Sequence, residues 1–467
     1  MAQIRSLWML ALLFPNLITL AFTVSLLDPD GTQIFVFTIS RHGDRSPVHE
    51  LPDDPCRDFW ANGYGQLTKL GAEQHAALGE FFRHSYPGFF PSKYHKDDVL
   101  FRSSGMERTI MSANSFIRGF YKHQLAERDY IPPPVYSIPV INDHLLKMSG
   151  NCPEYTKRLD NLMASKVTVD AVRHYSATID LLRKNIPSAF PPDPNPSQLL
   201  RSAWAICDTV VIWVNRNVPG RPPWATDKLS NQCMEVLSDK QYSRFALRSV
   251  TRLRGGPLAA HLLRLLRVRA NVELGQKKSD EGFQSSLLPL VLPDDWSEEM
   301  TKRRRLVAYF AHDSTMAALM NHLDIHNHLL PPLASCLMVE LHHVPEPRLP
   351  DDEFFVRFRY RNVTDYLDSR TYTLWPPACG SQNIAFKSNY LCSLTRLENS
   401  LIGTYASDVK SECLGRWSSF KLLNETEGCH YQELMLLVLV QFVVMLYLLG
   451  RLNGRPFSLW SSVNLLR

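Results

Sequence analysis

The 467-residue chain contains no C-x-x-C pair among its nine cysteines, no glycine-rich Walker loop and no H-E-x-x-H helix motif. These absences argue against a structural zinc site, a P-loop nucleotide enzyme and a zinc protease. Internal repeats and low-complexity tracts are lacking too, and with 45% hydrophobic and 21% charged residues neither disorder nor a polytopic membrane protein is indicated. An excess of one charge sign is also missing from the body of the chain. Of the formal net charge of +5, Arg5 supplies one and Arg451, Arg455 and Arg467 supply three, which leaves +1 for residues 26–433. A body so nearly neutral gives no reason to expect nucleic acid as a partner.

Long apolar runs occur only at the two ends. Residues 1–25 carry one early positive charge, then an apolar stretch, then small residues, the pattern of a secretory signal peptide. Residues 434–450, LMLLVLVQFVVMLYLLG, are long enough for a single transmembrane helix and have no polar face. The arginines of the tail 451–467 put that tail on the cytoplasmic side, so residues 26–433 are expected to be lumenal or extracellular, as a single-pass type I protein. N-x-S/T sequons at Asn362 and Asn424 fit a glycosylated domain in an oxidising compartment, where cysteines form disulfides.

Three short apolar runs end on reactive residues. IFVFTI, at 34–39, has the unalternated look of a strand buried on both faces and runs into RHGDRSP at 41–47. VLF at 99–101 delivers Arg102, and LVAYFA at 306–311 delivers His312 and Asp313. Helical patterns follow: one after the N-cap Thr68, one over 108–121, and one after Asp313. Strands followed by helices predict an α/β core with a mainly parallel sheet, whose ligand crevice opens at the carboxyl ends of the strands. Residues from about 129 to 248, with proline clusters between helical stretches, predict a smaller helical cap inserted over that crevice, and 275–302 read as an irregular loop.

The strand-end residues suit phosphoryl chemistry. Arg41, Arg45 and Arg102 offer planar forks for phosphate oxygens, and Gly43 allows a close backbone turn. His42 among these charges is expected to stay neutral and nucleophilic in acid, so that it attacks phosphorus and forms a phosphohistidine. Asp313 is placed to protonate the leaving oxygen and His312 to bind phosphate, with no metal or cofactor required. His322, His326 and His328 read as structural or surface residues, since no carboxylate motif accompanies them.

RHGDRSP, GYGQLTKLGAEQHAALGEFF, FRSSGMERTIMSA, PPWAT, AHDSTMAAL and LLPPLASCLMVEL closely resemble the histidine acid phosphatase family, in particular its prostatic and lysosomal branch. The resemblance implies hydrolysis of small phosphate monoesters, with His42 as nucleophile, Asp313 as proton donor and Arg41, Arg45, Arg102 and His312 on phosphate. It also implies disulfides Cys152 with Cys413, Cys207 with Cys336, and Cys379 with Cys392. Cys56, Cys233 and Cys429 are then left over, to stay free, to pair, or, for Cys429 beside the membrane, to link a homodimer. The tail carries no tyrosine of the kind that sorts the lysosomal relatives, so plasma membrane and lysosome both stand as destinations. Two alternatives accompany the acid phosphatase reading: a more selective enzyme of the same fold, phytase-like or acting on lysophosphatidate, and a non-catalytic adhesion or receptor ectodomain.

Overall fold

A computed structural model describes residues 31–415 apart from 128–129, 148–151, 246, 276–302, 345–352, 364–367, 381–389 and 407. The signal segment 1–25, most of the 275–302 loop, Asn424, Cys429, the apolar span 434–450 and the tail 451–467 therefore lie outside the described residues. Among the described residues no helix is long and apolar enough to cross a membrane.

The fold is an α/β sheet flanked by helices. Strand β1 (Thr32–Arg41) is buried from Ile34 onward, as its apolar run implies. It lies between β4 (Leu306–Ala311), to which it is parallel, and β5 (Cys336–His343), to which it is antiparallel. Beyond β4 come the parallel strands β2 (Val99–Ser104) and β3 (Val135–Ile138). Beyond β5 the sheet continues antiparallel through β6 (Phe354–Arg361) to β7 (Tyr372–Leu374). Alternate side chains serve two core layers. Val36, Phe101, Ala308 and Phe310 face α1 (Lys69–Ser85) and α2 (Glu107–Phe120). Phe35, Phe37, Val307 and Tyr309 face α9 (Gly256–Glu273) and α10 (Asp313–His322).

Helix α1 starts where the sequence predicts, because the Thr68 hydroxyl accepts a bond from the Gly71 amide at 3.2 Å. Its buried face is Gly71, Gln74, His75, Leu78, Gly79 and Phe82; of the stripe Leu70, Ala77, Leu78 and Phe81 that periodicity suggests, only Leu78 is fully buried, so the face is rotated. The cause is glycine. A Cβ on Gly79 would run into the Phe116 carbonyl and one on Gly119 into the Ala76 carbonyl, so the two backbones touch where side chains would hold helices apart.

The segment between β3 and β4 is helical, although β3, inside the stretch 129–248 read as cap, belongs to the sheet. Helices α3 (Pro153–Met163), α4 (Lys166–His174), α5 (Ser176–Asn185), α6 (Pro196–Asn215) and α7 (Asp227–Phe245) build it, and α8 (Arg248–Arg254) leads to α9. Asn195 and Gln198 form a capping box at the start of α6, with Pro196 at its first position. The cap has its own core around Trp204, Trp213, Leu229 and Val236, joined by Leu51 and Trp60 from the loop after β1.

The disulfide pattern departs from the expectation in one place. Cys152 joins Cys413 and Cys379 joins Cys392, but Cys207 joins Cys233, not Cys336. Cys207 on α6 and Cys233 on α7 belong to the cap core. Cys336 lies in the central sheet, free and buried, with its sulfur 2.8 Å from the Thr38 hydroxyl. The two cysteines of the expected pair thus sit in different cores. Cys56 is also free and buried. Asn362 follows β6 and is half-buried.

Candidate active site

Sheet register brings the reactive residues together. Arg41 pairs with Ala311, and Ser103 with Phe310, so the ends of β1, β4 and β2 lie level. The residues that follow, His42 and His312, have ring centroids 5.7 Å apart. They open into a cavity of about 780 Å³ between the strand ends and the cap, lined among others by Arg41, His42, Arg45, Arg108, His312 and Asp313.

Every part of the RHGDRSP turn is held. Asp44 N–H donates to Gln74 of α1, and Gly43 N–H donates to Ser112 of α2. A Cβ on Gly43 would strike the Gly71 carbonyl, so this glycine serves packing against α1 as well as the close turn the sequence suggests. The Nδ1 of His42 lies 2.9 Å from the Gly43 carbonyl. A carbonyl can only accept, so Nδ1 carries the proton and Nε2 keeps its lone pair. Burial first, then the charges of Arg41, Arg45 and Arg108 and the neighbouring His312, push His42 well below its ordinary value.

The other groups are fixed as firmly. Arg41 donates to the Pro331 carbonyl at 2.6 Å and lies 3.2 Å from Asp313. Burial opposes ionisation of Asp313, yet Arg41, Arg45, Lys240 and His312 together hold its carboxyl below the usual carboxylate range. Asp313 also opens α10, where Oδ1 accepts from the Ser314 amide at 2.6 Å. His312 Nε2 meets the Ser104 hydroxyl at 2.9 Å, and burial followed by Lys147 and Arg108 lowers its pKa strongly. Arg45 makes a two-pronged pair with Asp208 of the cap, both bonds 2.9 Å.

Arg102 is a correction. It stands two residues before the end of β2, one layer down in the sheet, fully buried and 2.9 Å from the equally buried Asp143. Its guanidinium lies 5.3 Å from the Tyr309 ring, and it does not line the cavity. The arginine that does is Arg108 in the first turn of α2, whose pKa is lowered to about 10 by burial and then by Arg45. The motif FRSSGMERT contains both, and a strand ending at Ser104 rather than Phe101 selects the second. Asp208, Lys147, Lys240 and Arg244 also reach the cavity, from segments in which the sequence offers only helical periodicity or a proline-rich loop.

The three histidines at and after the end of α10 do not gather into a metal site. His322 is buried and bonds Thr404 at 3.1 Å, while His326 and His328 stack on Tyr242. Among the described residues no group of His, Cys, Asp and Glu is arranged to hold a metal ion.

Bovine prostatic acid phosphatase is 29% identical over 74% of this chain and 80% of its own length. Lysosomal acid phosphatase of Pongo abelii is 30% identical, over 78% of this chain and 79% of its own. Among solved structures, the phytase from Citrobacter braakii superposes with a TM-score of 0.55 at 17% identity, covering 82% of this chain and 99% of that one, a likeness of fold. Residues 34–361, which run from within β1 to the end of β6 and include every cavity residue named above, match the histidine phosphatase superfamily, branch 2, and the chain belongs to that family.

Proposed function

We propose that the protein is an acid phosphatase that hydrolyses small phosphate monoesters through a phosphohistidine on His42. The observation that carries this reading is the placement of His42, whose Nδ1 meets the Gly43 carbonyl and whose ring shares one cavity with Arg41, Arg45, Arg108, His312 and Asp313. The arginines and His312 hold the phosphoryl oxygens and stabilise the charge on them as bonds to phosphorus change. His42 Nε2 forms a bond to phosphorus while the P–O ester bond breaks, and the Asp313 carboxyl passes its proton to the leaving oxygen. Water then attacks phosphorus, Asp313 takes up the proton, and the N–P bond breaks to release phosphate.

The arginines beside Asp313 favour its ionised form. Its proton therefore arrives with the substrate. A phosphate ester is a monoanion below a second pKa of about 6, and its dianionic form, once bound, cancels the positive field and favours a protonated carboxyl. Acidic conditions thus favour turnover. Purified protein should hydrolyse 4-nitrophenyl phosphate in mildly acidic, metal-free buffer and yield an acid-labile phosphoenzyme on rapid quenching. Full activity in His42→Ala would refute the assignment of the nucleophile.

The site faces the outside of the cytosol in this reading, supported by three disulfides, the leader-like residues 1–25 and the apolar run 434–450 with arginines behind it. A shift in gel mobility on removal of N-linked glycans, and release of soluble enzyme when residues 434–467 are deleted, test the topology. An enzyme that stays unglycosylated in secretory cells argues against it.

A further inference from the structure

Three of the seven lysines and arginines lining the cavity have a carboxylate partner: Arg41 has Asp313, Arg45 has Asp208, and Arg201 has Asp160. Arg108 is reserved for the transferring phosphoryl group. Three others remain. Lys147 from the loop after β3, and Lys240 and Arg244 from α7, line the same cavity, and their side chains have no hydrogen bond or ion pair among the described residues. The Nε of Arg244 is buried without a partner, and the Lys240 ammonium lies 5.1 Å from the Trp204 ring.

Lys240 and Arg244 are one helical turn apart, so like charges repel on a single face of α7 and destabilise the helix they belong to. Their position is nevertheless fixed, since Ser238 on the same helix accepts a bond from the Leu330 amide at 3.0 Å and the next residue, Pro331, holds Arg41. A cluster of desolvated cations that lack a direct carboxylate partner, beside a phosphate nest, is suited to bind an anion.

We propose that Lys147, Lys240 and Arg244 form a second anion subsite, and that the enzyme prefers phosphomonoesters whose leaving group carries a further phosphate. The proposal rests on the phosphomonoesterase reading above. Burial and neighbouring arginines lower both lysines to about 8, which leaves them charged under acidic conditions.

The test compares fructose 1,6-bisphosphate with fructose 6-phosphate. Wild-type enzyme at low ionic strength should show a kcat/KM ratio of about tenfold or more, the size one charge-assisted hydrogen bond supports and above the twofold that two ester groups alone provide. Added salt should shrink the ratio. In Lys240→Gln and Arg244→Gln the ratio should fall toward two, Arg244→Lys should keep much of it, and Lys228→Gln, exposed on α7 outside the cavity, should leave it unchanged. A wild-type ratio near two, or a ratio unmoved in Lys240→Gln/Arg244→Gln, overturns the subsite while the phosphatase reading stands. Failure to hydrolyse either sugar phosphate overturns both.

Discussion

Replacing Arg108 and replacing Arg102 should produce opposite kinds of damage, although the two arginines stand six residues apart in one motif. Arg108 lines the cavity with only a long 3.5 Å contact to the Gly65 carbonyl, so little of the fold depends on it. Its guanidinium is available to a phosphoryl oxygen, and a hydrogen bond to a charged group contributes about 1.5–3 kcal/mol. Arg108→Ala should therefore lower kcat/KM for 4-nitrophenyl phosphate by roughly ten- to a hundredfold, with the melting midpoint nearly unchanged. Arg102 has the reverse position. Its partner Asp143 has no exposed surface and also accepts from the Leu145 and Leu146 amides, which pins the loop that leads to Lys147. Arg102→Met keeps the volume but leaves the carboxylate unpaired in the interior, at a cost of about 3–5 kcal/mol. The melting midpoint should fall by several degrees. The double variant Arg102→Met/Asp143→Leu, which removes both charges, should recover much of it. Calorimetry and steady-state kinetics on the same preparations decide the matter. If Arg108→Ala is fully active, or if Arg102→Met loses activity at unchanged stability, the assignment of Arg108 rather than Arg102 to phosphate is wrong.

Asp313→Asn should slow hydrolysis of an alkyl phosphate by about 10²–10⁴-fold, but 4-nitrophenyl phosphate by much less, because a good leaving group needs no proton; equal losses on both substrates would contradict the proton-donor role. Stability should fall on acidification between about 6.5 and about 4, where unfolded histidines take up protons that the buried His75 and His322, both lowered to about 4 chiefly by burial, still refuse. A melting midpoint that rises as pH drops through that window would be inconsistent with these burials. Peptide mapping without reduction should recover Cys207 linked to Cys233 and Cys336 as a thiol that alkylates only after unfolding; Cys233→Ala should cost about 3 kcal/mol, from the loop of 26 residues it closes. Asp208→Asn frees the Arg45 fork, and a loosely positioned arginine should reduce kcat by up to about a hundredfold with less effect on folding, read from kinetics beside a thermal melt.

Local sequence determined what depends on neighbours along the chain. Unalternated apolar runs marked β1 and β4 as strands buried on both faces, Thr68 marked the start of α1, and RHGDRSP and AHD marked the turns that leave those strands, since each signal is complete within a few residues. Tertiary structure alone decided what depends on distance. Arg108 rather than Arg102 faces the cavity because β2 runs to Ser104, a boundary set by pairing with β3 and β4. Cys207 bonds Cys233 because α6 packs on α7, whereas Cys336 is committed to the sheet. Asp208 meets Arg45 across 163 residues of chain, and Lys147 from the loop after β3 converges with Lys240 and Arg244 of α7. No periodicity encodes such meetings: a helical pattern tells which residues share a face, and only packing tells what that face is turned toward.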